Sequence, residues 1–508
     1  MNKTLVYVLC LGIAGLLLTI SCRPESDFAD AGSVLFDRDT VKFDTLFRNT
    51  PSPTQRLTIT NNVGENLRID QVRIANDPDS VFSLVLNGLP GRVHDDVELF
   101  EGDSVFAFFT MEAEVNNQHE IKEAYLEVEI GDEVQRILLY APVLNAILIK
   151  DSLISTSTTL SGDTLYVIDG PAVVDQGAVL TIEPGAELHF TPRRDSNFNF
   201  ISQLLVIGEL RAQGTQARPI LFTNNRFGGE WQASPGQWQG IHITRNSPGR
   251  NVLDWTIVQN ASIGVRVDST DFNNDGFPKL QLSNSIIRHH ANYGVLSLGF
   301  DPNLSVPTGQ LPAGDPMVAG YNLCVYNCGQ SSVAALGGGY NVYEHITAAE
   351  YGWDQSRSNP VLVYTNTFRF NDDEGNQVVE TYDGLLRVAN SIIYGSERNE
   401  VGIDLINESN NAVLNFPHNL TRAEEELAEL LNDYEGIQLG DFNNYPQFDS
   451  LNTGRFPLLL FDLGAGSPAI DAGLPLDQLF FQNSLGMDLY GNMREAQAPD
   501  LGAFERVE

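Results

Sequence analysis

The sequence predicts an all-β protein in which an antiparallel β-sandwich precedes a solenoid of stacked parallel strands. Within residues 32–147, short runs of alternating apolar and polar residues are separated by turns rich in Gly, Pro and Asn, the pattern of an antiparallel sandwich. From residue 148 onward, short apolar strands end at polar corners and recur roughly every 20 to 30 residues, a period typical of stacked coils.

The N-terminus, residues 1–21, has the features of a secretory signal. Its uncharged apolar run, residues 5–20, is shorter than the roughly 20 residues that span a bilayer and fits the apolar region of a signal peptide. The segment ends at Cys22 and resembles a bacterial lipoprotein signal, which implies a lipid on Cys22 and attachment to a membrane. Residues 22–31 then form a tether. An ordinary secretory signal or a membrane anchor is the alternative.

The sandwich is predicted from seven short strands, at residues 41–43, 57–59, 67–69, 81–85, 105–108, 124–130 and 137–139. The stretch from Phe43 to Ile69, with the phrase Leu57-Thr-Ile-Thr-Asn-Asn62, resembles the immunoglobulin-like modules of bacterial surface proteins. This resemblance implies a spacer or interaction module and no chemistry.

Residues 148–465 carry the repeated strands of the solenoid. The phrases Leu180-Thr-Ile-Glu-Pro-Gly185 and Trp238-Gln-Gly-Ile241 are joined by strands that start at Asn284, Asn366 and Asn390. Together they resemble the right-handed parallel β-helix of pectin-lyase-like proteins. Asn at equivalent corners of successive coils can hydrogen-bond the coils above and below. Stacked coils of this kind stabilise one another.

One segment, at about residues 421–434, breaks the β pattern. Its leucines have helical spacing, at residues 427, 430 and 431. Thr421, with Glu424 three residues later, has the signature of a capping box. We expect a short helix that docks through its leucines between the last coils.

The C-terminal segment, residues 466–508, contains three short phrases: Gly466-Ser-Pro-Ala-Ile-Asp-Ala-Gly473, Asp488-Leu-Tyr-Gly-Asn-Met-Arg494 and Asp500-Leu-Gly-Ala-Phe-Glu505. They resemble the choice-of-anchor ending of many bacterial surface β-helix proteins. Because an exposed sheet end pairs readily with other chains, we expect this segment to cap the last coil. The predicted charged network of the cap comprises Asp471, Asp488, Arg494, Asp500 and Glu505.

The ending and the lipoprotein signal look like those of the Bacteroidetes group. This resemblance implies a cell-envelope location at the outer membrane, either periplasmic or surface-exposed. The chain has 66 acidic and 30 basic residues, for a net charge of −36. Such a charge opposes nucleic acid, whose phosphates need Lys and Arg, and favours cations.

Cys324 and Cys328 are the two cysteines beyond the signal and the anchor. Their spacing puts both on one face of an extended strand, about 13 Å apart, which is too far for a disulfide. We interpret them as small apolar residues that face a core.

Arg288, His289 and His290 are the candidates for a catalytic base. Polysaccharide lyases of the pectin-lyase-like fold need an Arg or Lys base with acid-bound calcium, and hydrolases need paired carboxylates. Histidine titrates near neutral pH and can move protons. However, no acidic pair is expected beside these three residues, and a solvated corner is the alternative. His345 is interpreted as a core or ladder histidine.

Asp271, Asn273 and Asp275, followed by Gly276, match the first half of a calcium loop. The twelfth position is Leu282, where a bidentate Glu would be expected. The sequence indicates no cofactor apart from calcium at this loop. A plain turn is the alternative, since Asn, Asp and Gly favour turns.

Trp353 and Tyr351, near a run of glycines, are candidates for contact with a glycan. The leading hypothesis is a lipid-anchored β-helix protein that binds or displays a polysaccharide or another surface component without catalysis. One alternative is a carbohydrate-active enzyme, either a polysaccharide lyase or a glycoside hydrolase. Another is an architectural spacer on the cell surface.

Overall fold

The chain forms two compact units, Met1–Asn145 and Ala146–Glu508, in a computed structural model. The structure describes residues 27–47, 52–112, 120–226, 231, 233–268, 276–301, 304–305, 315–351, 357–371, 375–406, 411–440, 445–449 and 461–507. No helix among these residues is long and apolar enough to cross a membrane.

The described part of the first unit contains two β-sheets. Its strands are β1 (Val34–Phe36), β2 (Thr40–Lys42), β3 (Leu46–Phe47), β4 (Gln55–Asn61), β5 (Leu67–Ala75), β6 (Phe82–Leu86), β7 (Leu89–Pro90), β8 (Val93–Leu99), β9 (Ser104–Met111), β10 (Glu120–Ile130) and β11 (Glu133–Leu144). One sheet has the order β1-β4-β9-β6-β7; the other has the order β2-β11-β10-β5-β8, with β3 beside β11. Both sheets contribute to one core that includes Leu57, Phe109 and Leu126.

Strand β8 has no counterpart in the sequence prediction. It pairs antiparallel with β5, but most of its residues are exposed or only partly buried. Because little of this edge strand faces the core, its sequence shows no clear apolar alternation. The immunoglobulin-like character of the unit stays a prediction.

The second unit is a solenoid of parallel strands. Its strands are β12 (Ile147–Ile154), β13 (Thr158–Leu160), β14 (Leu165–Val174), β15 (Val179–Ile182), β16 (Glu187–Phe190), β17 (Gln203–Val206), β18 (Glu209–Gln213), β19 (Ile220–Asn224), β20 (Ile241–Ile243), β21 (Asn251–Asp254), β22 (Thr256–Gln259), β23 (Ile263–Asp268), β24 (Leu280–His290), β25 (Tyr293–Leu298), β26 (Val318–Cys328), β27 (Ser331–Leu336), β28 (Gly339–Glu350), β29 (Leu362–Thr365), β30 (Thr367–Asn371), β31 (Gln377–Thr381), β32 (Gly384–Ala389), β33 (Ser391–Gly395), β34 (Val401–Asp404), β35 (Ala412–Asn415), β36 (Asn419–Arg422) and β37 (Gln438–Gly440). All except the β30–β31 hairpin belong to one 24-stranded sheet.

The strands stack in three columns, which we call faces A, B and C. Face A contains β15, β18, β21, β32 and β35, and face B contains β16, β19, β22, β33 and β36. Strands β24, β26 and β28 bend at a corner and contribute to both. Face C contains β17, β20, β23, β25, β27, β29 and β34. Each coil therefore presents three strands around one apolar core.

The corner between faces A and B is a column of left-handed residues. Trp255, Asn284, Asn322, His345, Asn390 and His418 occupy equivalent corner positions, with φ between 46° and 51°. Asn322 Nδ2 donates to Asn284 Oδ1 at 3.0 Å, and Asn390 Nδ2 lies 3.1 Å from His345 Nε2. Asn366 lies on a different corner, where its side chain exchanges two hydrogen bonds with the backbone of Ile406.

Residues 461–507 lie along the outside of face B and the adjoining corner. Apolar side chains of this segment pack on outward residues of face B, including Ile286, Cys324 and Ile392. Every residue of β26 and β28 is buried, and the outward residues in the face B parts of these strands lie beneath this segment. The segment thus contacts several successive coils, whereas the sequence led us to expect contact with the last coil.

Helix α1 (Glu425–Leu431) instead packs at the last coil, where Leu431 joins the solenoid core with Phe416. It begins later than predicted. Thr421 is a buried residue of β36 that pairs with Leu439. Because it belongs to a strand, Thr421 does not cap the helix as predicted, and Glu424 occupies the N-cap position.

Cys324 and Cys328 are free and buried. Cys324 packs beneath the C-terminal segment, whereas Cys328 faces the solenoid core. The expectation that both share one face was wrong, because Asn327 between them is left-handed, with φ of 56°, and reverses the alternation of side chains.

Candidate functional site

Arg288, His289 and His290 lie at the end of β24, at the corner between faces B and C. The Arg288 guanidinium donates to Gln259 Oε1 at 2.9 Å and to Tyr326 Oη at 3.0 Å. These partners belong to the two flanking coils, so Arg288 connects three successive coils on the outside of face B.

His290 lies inside the structure, whereas His289 is partly buried at the corner. Asn327 Nδ2 donates to His289 Nδ1 at 2.6 Å. His290 is fully buried, and its Nδ1 accepts from the backbone N–H of Ala261 at 3.2 Å. Burial lowers the pKa of each histidine to about 3. Both rings are therefore neutral near pH 7, and a pKa this low makes them weak bases, well below the pKa near the working pH that suits a general base.

The predicted calcium ligands Asp271, Asn273 and Asp275 lie outside the described residues, as do Cys22 and Trp353. At the sixth position of the predicted loop, the backbone N–H of Gly276 donates to Asp315 Oδ2 at 2.7 Å. Within the described ranges, no group of three or more His, Cys, Asp or Glu side chains is arranged to hold a metal ion. The calcium site stays a prediction.

Tyr351, the second predicted glycan contact, is partly buried beside the cluster under the C-terminal segment. Burial raises the pKa of its hydroxyl. Part of the ring packs against that cluster, and only the remainder of the ring faces solvent. The contact with a glycan stays a prediction.

A buried ion cluster lies next to Tyr351. Arg357 binds Glu400 through two hydrogen bonds of 2.9 Å, and both side chains are almost completely buried. Glu350 accepts from the backbone N–H of Cys328 at 2.8 Å and from Ser332 Oγ at 2.6 Å. Burial raises the pKa of Glu350 to about 7 and also raises that of Glu400. Neither carboxylate reaches the surface. The cluster therefore connects residues of neighbouring coils inside the protein.

The five charged residues predicted for the C-terminal segment come together in one network. Arg494 Nη1 lies 3.3 Å from Glu505 Oε2, and Asp488 Oδ2 accepts from the backbone N–H of Glu505 at 2.8 Å. Asp500 Oδ1 accepts from the N–H of Asp471 at 2.8 Å. These bonds connect the three sequence phrases to one another, and Arg494 also donates to Asn322 of the corner column at 3.0 Å.

An open groove of about 370 Å³ runs along the outside of face C. It is lined by Tyr293, Ser331, Leu336, Asn359, Pro360, Val363, Thr365, Gly402, Ile403 and Asp404. At one end, Arg369 of the β30–β31 hairpin binds Asp404 at 2.6 Å. The groove thus combines hydroxyl, amide and carboxylate groups with one tyrosine ring.

Two residues of face C that line the groove, Val363 and Gly402, are small and belong to one row of outward residues. Leu296, Ala334, Val363 and Gly402 are stacked in register on successive coils. A Cβ at Gly402 would come within 2.9 Å of the Pro360 ring, so that coil can pack closely only with glycine. The sequence did not predict these positions, because the residues become neighbours only through the register between coils.

Residues 152–262 match the family model of the pectate-lyase-like β-helix domain, and the chain contains a β-helix of this kind. A comparison with curated proteins found no match.

Three solved structures are similar to parts of the chain, each with a TM-score of 0.17. A protein of unknown function from Porphyromonas gingivalis W83 has 12% identity over 26% of this chain and 60% of its own. A family 123 glycoside hydrolase from Clostridium perfringens has 8% identity over 23% of this chain and 27% of its own. The catalytic domain of a GH87 α-1,3-glucanase, in complex with tetrasaccharides, has 10% identity over 82% of this chain and 99% of its own.

Proposed function

We propose that this protein is attached to the bacterial cell envelope by a lipid on Cys22 and binds a polysaccharide along its β-helix without cleaving it. The observation that carries the binding role is the groove on face C. Ligand sites are concave surfaces with a few polar groups that fix orientation. A groove built on strands holds Thr365 and Asp404 in fixed positions and suits a repeated, hydroxyl-rich chain.

The non-catalytic part of the proposal is supported by the state of the candidate bases. A general base must reach the proton that it removes and must titrate near the working pH. His289 and His290 have strongly lowered pKa values. Glu350 and Glu400 are bound within the protein.

Membrane attachment can be tested by replacing Cys22 with Ser. We expect the wild-type protein to fractionate with membranes and the C22S variant to be released, because the acyl chains supply the attachment. A C22S variant that still fractionates with membranes would contradict the lipid anchor and leave the binding role untouched.

The groove can be blocked by the substitution Val363→Trp. Val363 points outward into the groove, and a bulky ring would fill it. The matched control is Val252→Trp, which places the same ring on an outward position of face A. With the full-length protein and a panel of immobilised polysaccharides, we expect V363W to reduce retention at least about tenfold, equivalent to about 1.4 kcal/mol. V252W should retain wild-type binding.

The same panel is incubated with and without calcium, and new reducing ends and unsaturated uronic ends are measured. Product formation would make the protein an enzyme and overturn the non-catalytic role. Retention that V363W leaves unchanged would place binding elsewhere. No retention on any polysaccharide would favour an architectural spacer.

A further inference from the structure

Two loops at the corner between faces B and C bring arginines and aromatic rings together on the first coils. One follows β16 and contains Arg194, Phe198 and Phe200; the other follows β19 and contains Arg226 and Trp231. Strands β16 and β19 pair directly, so the two loops leave adjacent coils at the same corner. We call these five residues the arginine–aromatic platform.

Each arginine of the platform stacks on a ring. The Arg194 guanidinium lies 4.0 Å from the centre of the Phe200 ring, and the Arg226 guanidinium lies 4.2 Å from the Trp231 ring. Phe198 is 78% exposed and Trp231 is 37% exposed. Flat apolar rings are thus presented to solvent next to planar cations.

Hydrogen bonds hold the platform in place. Arg194 Nη1 donates to the carbonyl of Phe198 at 3.1 Å, and Arg226 Nη1 donates to Gln237 Oε1 at 3.1 Å. Gln239 Nε2 on the second loop donates to the carbonyl of Phe200 on the first at 2.6 Å. Such a surface loses little conformational entropy when a ligand binds.

The charge of the platform differs from that of its surroundings. The adjacent Arg193 has a carboxylate partner, Asp151, at 2.8 Å. Within the part of the chain that the structure describes, neither Arg194 nor Arg226 forms an ion pair with a carboxylate. Burial and the charge of Arg194 both lower the pKa of Arg226, so the two cations repel each other in the free protein. An anion placed between them would relieve that repulsion.

We propose that the platform binds a saccharide that carries an anionic group, with the sugar ring on the exposed aromatic rings and the carboxylate or sulfate held by Arg194 and Arg226. Arginine binds carboxylates and similar oxyanions through two parallel hydrogen bonds. This site lies on a different corner from the groove on face C and stands independently of it.

The test uses three immobilised polymers with one backbone: dextran, carboxymethyl-dextran and dextran sulfate. We expect the full-length protein to bind one or both anionic polymers at low salt and not plain dextran, with binding that weakens as salt increases. The double substitution Arg194→Gln with Arg226→Gln should weaken that binding at least about tenfold. The carboxymethyl and sulfate arms distinguish the two sources of the anion.

The matched control is Arg56→Gln in the N-terminal unit. Arg56 also stacks on a ring, that of Phe106 at 5.3 Å, so its loss removes the same charge and the same kind of contact elsewhere. We expect R56Q to bind like the wild type. Trp231→Ala, which keeps both charges, should also weaken binding, and Arg226→Lys should restore only part of it because an ammonium lacks the planar fork.

Melting temperatures of all variants identify any loss of folding; if the double variant unfolds, the single exposed substitution Arg194→Gln takes its place. The proposal is overturned if neither anionic polymer is bound, if plain dextran binds equally well, or if the platform variants and R56Q lose affinity alike. If the protein binds plain dextran alone, and Val363→Trp abolishes that binding, the platform proposal is overturned and the groove proposal is supported.

Discussion

Glu127 in the N-terminal unit and Glu350 in the solenoid are both buried glutamates on β-strands, yet their environments act in opposite directions. Glu127 binds Arg73 and Arg136, and these partners lower its pKa. Glu350 accepts from a backbone N–H and a serine hydroxyl, and burial raises its pKa to about 7. The first carboxylate is stabilised as an anion, whereas the second is stabilised with its proton.

The two units also differ in how many polar side chains they bury. Among the described residues of the first unit, Asn61 and Glu127 are the buried polar or charged residues, and the Asp77 side chain, which binds Arg92, is buried as well. The solenoid buries many more, most of them at its corners and beneath the C-terminal segment. An antiparallel sandwich separates polar from apolar residues by alternation along each strand. A coil that turns three times must also satisfy the polar groups of its corners inside the protein.

The largest expected effect compares two carboxylate deletions. Glu400→Ala leaves the buried Arg357 without its partner and should lower the free energy of unfolding of the solenoid by about 3–5 kcal/mol. Glu127→Ala leaves Arg73 and Arg136, which are 43% and 62% exposed, in contact with water and should cost about 1 kcal/mol.

Tryptophan fluorescence during urea unfolding reports the solenoid alone, because all four tryptophans lie between residues 231 and 353. Hydrogen exchange of peptides from β10 reports the first unit. Equal losses for E400A and E127A would break the proposed difference between the units.

The second prediction concerns pH. Because the pKa of Glu350 is raised from 4.5 to about 7 in the folded protein, the folded state binds this proton more tightly than the unfolded state. The resulting stability, up to about 3 kcal/mol, is present below about pH 4.5 and is lost as the pH rises through about 7. Unfolding monitored by tryptophan fluorescence between about pH 5 and 8 should show this loss.

Glu350→Gln should remove that part of the pH dependence, whereas Glu400, Asp500 and Glu505, whose pKa values are also raised, remain in both proteins. Parallel pH curves for wild type and E350Q would contradict the role of Glu350.

Glu127→Gln is the opposite case. The lowered pKa of Glu127 gives stability that is lost on acidification, and E127Q should reduce that loss in β10.

The smallest of the three effects compares two left-handed asparagines. Asn390 exchanges hydrogen bonds of 2.8 and 3.0 Å with the backbone of Leu474, and Asn390→Ala should cost about 2–3 kcal/mol from these bonds and the strained backbone. Asn87 of the first unit has φ of 49° at an exposed turn, and Asn87→Ala should cost about 1 kcal/mol. Asn390→Gly relieves the strain but not the lost bonds, so it should recover only part of the stability.

Denaturant unfolding and hydrogen exchange near residue 474 measure these variants. If N390A and N87A cost the same, the side-chain bonds to the C-terminal segment contribute nothing, and backbone conformation alone explains both sites.

The parts of the structure that follow local patterns could be predicted from the sequence. Leu180-Thr-Ile182 and Leu205-Val206 place alternate residues in the core because strand alternation has a period of two. His345 was correctly interpreted as a core or ladder residue, since it occupies the corner column. Asn366 was not predictable in the same way, because the β30–β31 hairpin inserted after it assigns that residue to another corner.

The parts that depend on distant contacts could not be predicted. Nothing local shows that Ile286 and Cys324, on the outside of face B, are covered by residues 461–507. Glu350 and Glu400 are brought together only by the stacking of coils, and Arg357 between them reads as an ordinary loop residue. The groove likewise depends on the register that pairs Val363 with Gly402.

The placement of residues 461–507 along face B has a consequence for the order in which the protein is completed. A secreted chain emerges from the translocation channel N-terminus first, so the coils can stack before this segment arrives. During that interval the apolar row containing Ile286, Cys324 and Ile392 is open to water. Residues 461–507 therefore close this row only after the coils have formed, and a chain truncated before residue 461 would expose an apolar stripe that chaperones and proteases recognise.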